Sequence, residues 1–285
     1  MAVEESREGT QVGDLPEVCL AHAIALTSPR DACRCAAVSP AFRAAADSDH
    51  VWCSFLPKLD RQSTIVLQTP TARSTKKDAY LGLCDAGAPV DDGLVRVWLE
   101  KASGAKCYAL SARRLSLPWD DGEFCWKWTP QPLSSRFAEV AELVDCTCLD
   151  IYSHLPAAAL TPATAYAAYL VYGTADGHRG LSYPDQETTV SVGGRVVARH
   201  AVCLRPDDAN ACKFRGAGLR CGEGEEPRRP RLREDGWWEM EMGRLCTTST
   251  GGEQEGEEEV VASFEVLGWY SKCGLIVESI EFRPI

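Results

Sequence analysis

The chain has 285 residues, 45% of them hydrophobic and 25% charged, and carries a formal net charge of −11. That acidity excludes a general nucleic-acid binder, which needs a basic footprint to displace counterions from phosphates. The opening segment is polar and acidic, unlike a signal peptide, and no run reaches the roughly 18 apolar residues of a membrane span, so a cytosolic or nuclear protein is expected.

After a polar tail over residues 1–12, helix signals crowd residues 13–57. Asp14-Leu-Pro-Glu17 predicts a capping box, with Pro16 in the first turn of a helix that runs through Val18, Leu20, Ile24 and Leu26. Ser28-Pro-Arg-Asp31 predicts a second start, with Pro29 at the first helical position, and the helix continues to Val38. Ser39-Pro40 predicts a third start, with Phe42, Ala45 and Ala46 on its apolar face. Asp49 to Leu56 forms a short fourth piece that buries Trp52 and Phe55 and ends at Pro57. Four short helices make a core too small to be comfortable alone, so this segment is expected to meet a partner surface. Residues 58–77 are rich in Ser, Thr and Pro and read as a linker. Asp78 to Cys84 offers one or two more helical turns.

From about Val90 the periodicity changes to two. Val95–Leu99, Cys107–Leu110, Cys146–Tyr152, Tyr166–Tyr172, Trp237–Met242, Val260–Val266 and Leu275–Phe282 read as strands. Gly193-Gly194 between two β-rich runs signals a hairpin. Arg136 to Val144 scans as a helix that tertiary context can convert to strand. Many short strands separated by Gly and Pro turns predict an antiparallel sandwich of jelly-roll type, and with the helical start an α+β chain. Glu223–Glu226 followed by Arg228, Arg229, Arg231 and Arg233 reads as a solvated mixed-charge loop, as does the acidic stretch from Gly251 to Glu259.

The 14 cysteines contain no Cys-x-x-Cys pair. The nearest are Cys33/Cys35 and Cys146/Cys148, and the expectation is small, mostly buried apolar side chains in a reducing compartment. His154 and His178 lack ligand-spaced partners, so neither a metal nor a cofactor is expected. A phosphate-cradling glycine loop and a nucleophile elbow are both missing. Glu258/Glu265 or Glu239/Glu241 could serve as a glycosidase pair, but strand glutamates are common surface residues, and no catalytic role is expected.

Residues 13–57 resemble an F-box, on Leu15-Pro16-Glu17, the Ser28-Pro-Arg-Asp31 turn, Ala36 with Val38-Ser39, Phe42-Arg43 and Val51-Trp52. The resemblance implies docking onto the Skp-type adaptor of an SCF-type (cullin-RING) ubiquitin ligase, with Leu15, Pro16, Val38 and Trp52 as the apolar groups offered. Residues 78–285 resemble the Nictaba-like phloem lectins of plants (phloem protein 2-like). The landmarks are Lys106–Arg113, Trp119 with Trp126-Lys-Trp128, Arg136–Leu143, Leu149–Tyr152, Tyr166–Val171, Asp235-Gly-Trp237 and Gly274 to Pro284.

That resemblance implies that Trp119, Trp126, Glu258 and Glu265 bind N-acetylglucosamine-containing or high-mannose glycans or glycoproteins. The chemistry agrees, because the C–H face of a sugar stacks on indole and a carboxylate accepts two hydroxyls. A shallow site of this sort is worth about 4–6 kcal/mol per sugar. Trp119 lies at a turn and is expected to be exposed. Trp126 shares a strand face with Phe124 and Trp128, where one aromatic is expected to join the core. Together the two resemblances imply a substrate receptor that recognises glycans or glycoproteins. The alternatives are a protein-binding receptor that has lost sugar binding and a stand-alone stress lectin.

Overall fold

The computed structural model describes residues 12, 15–57, 75–118, 125–130, 135–183, 185–208, 227–248 and 258–285. They divide into two units, one of Met1–Ala88 with Trp98–Ala105 and one of Pro89–Val97 with Lys106–Ile285.

In the first unit, serine–proline pairs start helices as expected. α1 (Glu17–Ala25) follows Pro16 as N-cap and has no side-chain cap. The Asp14 of the predicted capping box lies outside the described residues. α2 (Pro29–Cys35) is capped by Ser28, whose Oγ accepts from the Asp31 amide at 3.1 Å. α3 (Pro40–Ala46) repeats the device with Ser39 and the Phe42 amide. α4 (Asp49–Phe55) follows. α5 (Lys76–Asp85) carries a reciprocal capping box between Thr75 and Asp78.

The core of this unit joins Leu20, Ile24, Ala32, Ala45, Val51 and Trp52 to Tyr80 and Leu83 of α5 and to Leu99. Tyr80 also donates to the carbonyls of Glu100 and Lys101, each at 3.2 Å. Residues 78–88 thus complete the helical core, although their place in the sequence suggested the sheet domain. Their apolar side chains supply what four short helices lack.

The strands described are β1 (Ala88–Val90), β2 (Val95–Leu99), β3 (Lys106–Ser111), β4 (Trp126–Pro130), β5 (Glu139–Leu143), β6 (Leu149–Pro156), β7 (Ala165–Arg179), β8 (Gln186–Val192), β9 (Arg195–Val202), β10 (Arg231–Leu232), β11 (Trp238–Cys246), β12 (Glu259–Val266) and β13 (Cys273–Pro284). One sheet has the order β1-β2-β3-β13-β7-β11-β10, with β5 also on β13 and β4 on β5; the other has the order β6-β12-β8-β9. Ile151, Val190 and Phe264 from the small sheet share one core with Leu170, Met240 and Ile280 from the large one, which makes the unit a sandwich. The two sheets approach closely at Gly243 in the β11 bulge, where a Cβ would lie 2.9 Å from Val190 and 2.8 Å from Ala198. Nearby, Thr188 Oγ1 donates across the sandwich to the Met242 carbonyl at 2.8 Å.

The β8–β9 hairpin turns on Gly193 and Gly194, both at positive φ, as a type I′ turn requires. The segment that scans as a helix at 136–144 is β5, because pairing with β13 and β4 outweighs local propensity. The cysteine expectation also needs correction. Of the described cysteines only Cys107, Cys146 and Cys203 are buried, and Cys33 and Cys35 lie on helix α2.

Candidate functional site

The helical unit leaves apolar side chains outside its core. Leu15, Val18, Leu26 and Val38 are exposed, Val38 at 67%, and Pro16 is exposed with them. Val18 and Leu26 were not singled out in the sequence, since both fall within an apolar run that reads equally well as core. Trp52 behaves differently from the expectation that it is offered to a partner. It is 1% exposed, its Nε1 donates to the Ala46 carbonyl at 2.8 Å, and it packs against Phe55 and Tyr80. It holds the unit together and cannot reach an adaptor without unfolding it.

Of the four glycan residues, the three that are described do not converge. Trp119 lies outside the described residues. Trp126 is 3% exposed, sits in the sandwich core and donates its Nε1–H to the Pro118 carbonyl at 2.9 Å. Its ring therefore cannot stack on a sugar, which corrects the expectation for this residue. Glu258 is exposed just ahead of β12, and its carbonyl accepts from the Ala157 amide at 2.8 Å. Glu265 is half-buried on the outer face of the four-stranded sheet, opposite Asp150 on β6 and Glu187 on β8. Seven residues of nearly extended chain put the two glutamates roughly 23 Å apart.

Glu265 does have the partners that a carboxylate in an apolar strand needs. Ser263 Oγ donates to it at 3.2 Å. The Tyr152 hydroxyl bonds it as well, and burial together with the Glu265 and Asp150 charges pushes the Tyr152 pKa up to about 12. The phenol is therefore a neutral donor at ordinary pH.

The basic run after residue 227, expected as a solvated loop, clamps buried and half-buried acids on the outer face of the large sheet. Arg231 and Arg283 each donate to Glu239 at 2.7 Å, and Arg283 lies 3.7 Å over the Tyr169 ring. Arg233 donates to Glu281 at 2.9 Å, and Arg136 bonds the same carboxylate. Arg228 and Arg244 hold Glu241 at 3.1 and 2.8 Å. Burial alone would raise the Glu239 pKa, but the Arg283 and Arg231 charges outweigh it and hold the carboxyl below its usual range. Tyr169, Arg229, Arg231, Glu239, Glu241 and Arg283 line a polar cavity of about 430 Å³. Glu239 and Glu241 are thus both engaged by arginine. The alternation in Trp237–Met242 put these acids on one face. Nothing local, however, said that arginines from another strand would cover them.

The phloem protein 2 family model matches residues 105–284, and the F-box domain model matches residues 13–54. F-box protein PP2-B10 of Arabidopsis thaliana is 36% identical over 279 residues, spanning 97% of this chain and 95% of that relative. F-box protein SKIP3 of the same plant is 34% identical over 285 residues, spanning 98% and 92%. Solved structures are only distantly similar. The native structure of a family 35 carbohydrate binding module from Clostridium thermocellum aligns at TM-score 0.32 and 8% identity, over 62% of this chain and 96% of that one. With one domain model over its helical start, the other over its sandwich, and near full-length relatives above 30% identity, the chain belongs to the F-box proteins that carry a phloem protein 2 domain.

Proposed function

We propose that the chain is a non-catalytic substrate receptor of an SCF-type ubiquitin ligase, working in the cytoplasm or nucleus. Its helical unit docks on a Skp-type adaptor and its sandwich captures the target. One observation carries this reading: Leu15, Val18 and Val38 are exposed on a helical unit whose own core is complete without them. Exposed aliphatic groups on so small a unit gain nothing for folding, whereas burial under a helical partner returns about 25 cal/mol per Å². The test is capture of a purified Skp-type adaptor by the full chain. Val38→Asp should weaken capture at least tenfold with an unchanged melting temperature. A wild-type chain that captures no adaptor would refute the reading.

For the target we propose glycans or glycoproteins bearing N-acetylglucosamine or high-mannose units, with Trp119, Glu258 and Glu265 as contacts and Trp126 as a structural residue. A second reading, a protein-binding receptor on a lectin scaffold, draws on the sealed Trp126 and the separation of the two glutamates. A glycan array on the full chain separates them: saturable sugar binding supports the first, and a silent array supports the second.

A further inference from the structure

Among the described tryptophans Trp269 alone is exposed, at 83%, and Leu267, two residues before it, is exposed as well. Both lie in the turn from β12 to β13, and that turn is fastened from beneath. Lys272 is fully buried, and its ammonium donates to the carbonyls of Thr147, Gly268 and Tyr270 at 2.9, 2.5 and 2.9 Å. All three ammonium donors are thereby used. The Lys272 backbone pairs with Cys146, and its Nζ sits 4.1 Å over the Tyr270 ring. Tyr270 donates its hydroxyl to Asp185 at 2.5 Å, and the Leu267 amide donates to the Asp185 carbonyl at 2.9 Å. Gly268 is required, because a Cβ there would fall 2.1 Å from the Asp185 carboxylate.

Burying a lysine is costly, and burial indeed pulls its pKa down. Here that cost secures the residues on both sides of an indole that itself contributes almost no burial. With the backbone fixed on both sides of the indole, only its side-chain torsions remain to be ordered on binding.

We infer that Trp269 is the stacking platform of a sugar-binding site that takes a neutral pyranose, with Glu265 and its row neighbours as hydroxyl acceptors. This rests on the glycan reading above. The occupant follows from the surroundings. The outer face of β12 alternates Ser263, Glu265 and then Leu267, so the carboxylates of Asp150, Glu265 and Glu187 lie in one row two residues before the turn. Carboxylates only accept, which suits hydroxyl groups; Arg199 pairs with Glu187 at 3.5 Å, and the charges of Asp150 and Glu265 that remain disfavour an acidic sugar. A stable protein partner would need about 800 Å² of surface on this side, far more than Leu267 and Trp269 offer. A single ring face matches an indole.

The test is titration of the full chain with an N-acetylglucosamine oligomer and with a high-mannose oligosaccharide, followed by calorimetry. Trp269→Ala should weaken sugar binding at least tenfold while leaving adaptor capture and melting temperature unchanged. Trp269→Phe should stay within about threefold of wild type, since a phenyl ring still stacks. If wild type and Trp269→Ala bind sugar equally, this site falls and the glycan reading stands. If wild type binds neither sugar, both fall. Binding of acidic sugars alone would overturn the neutral occupant.

Discussion

The helical unit and the sandwich handle their surfaces in opposite ways. The helices bury Trp52 and Tyr80 but leave Leu15, Val18 and Val38 in water. The sandwich places carboxylates such as Glu281 and Glu239 almost out of solvent, yet pairs each with arginine. Apolar surface left outside a complete core signals a face that a partner can cover. Paired charge on a sheet face signals a surface that is already satisfied and contributes to holding the fold. The difference teaches that the side chains available for contact are those with no internal task. By that criterion Val38 and Trp269 are available, whereas Trp52 and Trp126 are not.

The most forceful way to break this contrast is Trp52→Ala. Removing an indole that is both packed and hydrogen-bonded should cost about 3–5 kcal/mol, abolish adaptor capture through unfolding and leave the sandwich transition in place. Denaturant unfolding followed separately by helix and sheet signals checks it; a stable variant that loses only capture would return Trp52 to the docking surface.

Acid should then distinguish the two units. The folded-state pKa values of Glu239 and Glu241 lie below 4.5, so the unfolded chain takes up protons first as the pH falls. Their contribution is fully present above the unfolded pKa near 4.5 and is lost as pH drops through the lower folded values. The sheet transition should therefore weaken from about pH 5 downward. Asp31 and Asp78 are also lowered, by hydrogen bonds from Ser28 and from the Thr75 backbone, but at helix starts open to solvent, so the helical transition should move less.

The smallest effect is Ser28→Ala, which deletes the α2 cap and should cost about 1 kcal/mol without weakening adaptor capture. Loss of capture in that variant would mean that the turn itself contacts the adaptor.

Local chemistry is what the sequence could determine. Ser28-Pro29 and Ser39-Pro40 marked helix starts because hydroxyl capping and a fixed φ act within four residues. Gly193-Gly194 marked a hairpin because only glycine takes two positive φ values cheaply. Period-two runs announced the sheets, and ordered landmarks identified both domains. What only tertiary structure decided was burial and company. Whether Trp126 faces a sugar or the core, whether Arg233 meets water or Glu281, and whether Lys272 is sealed against the Thr147 carbonyl all depend on residues tens of positions away. Hydrophobic packing and ion pairing act through space, and a linear pattern carries the alternation of a strand but not the identity of what crosses over it.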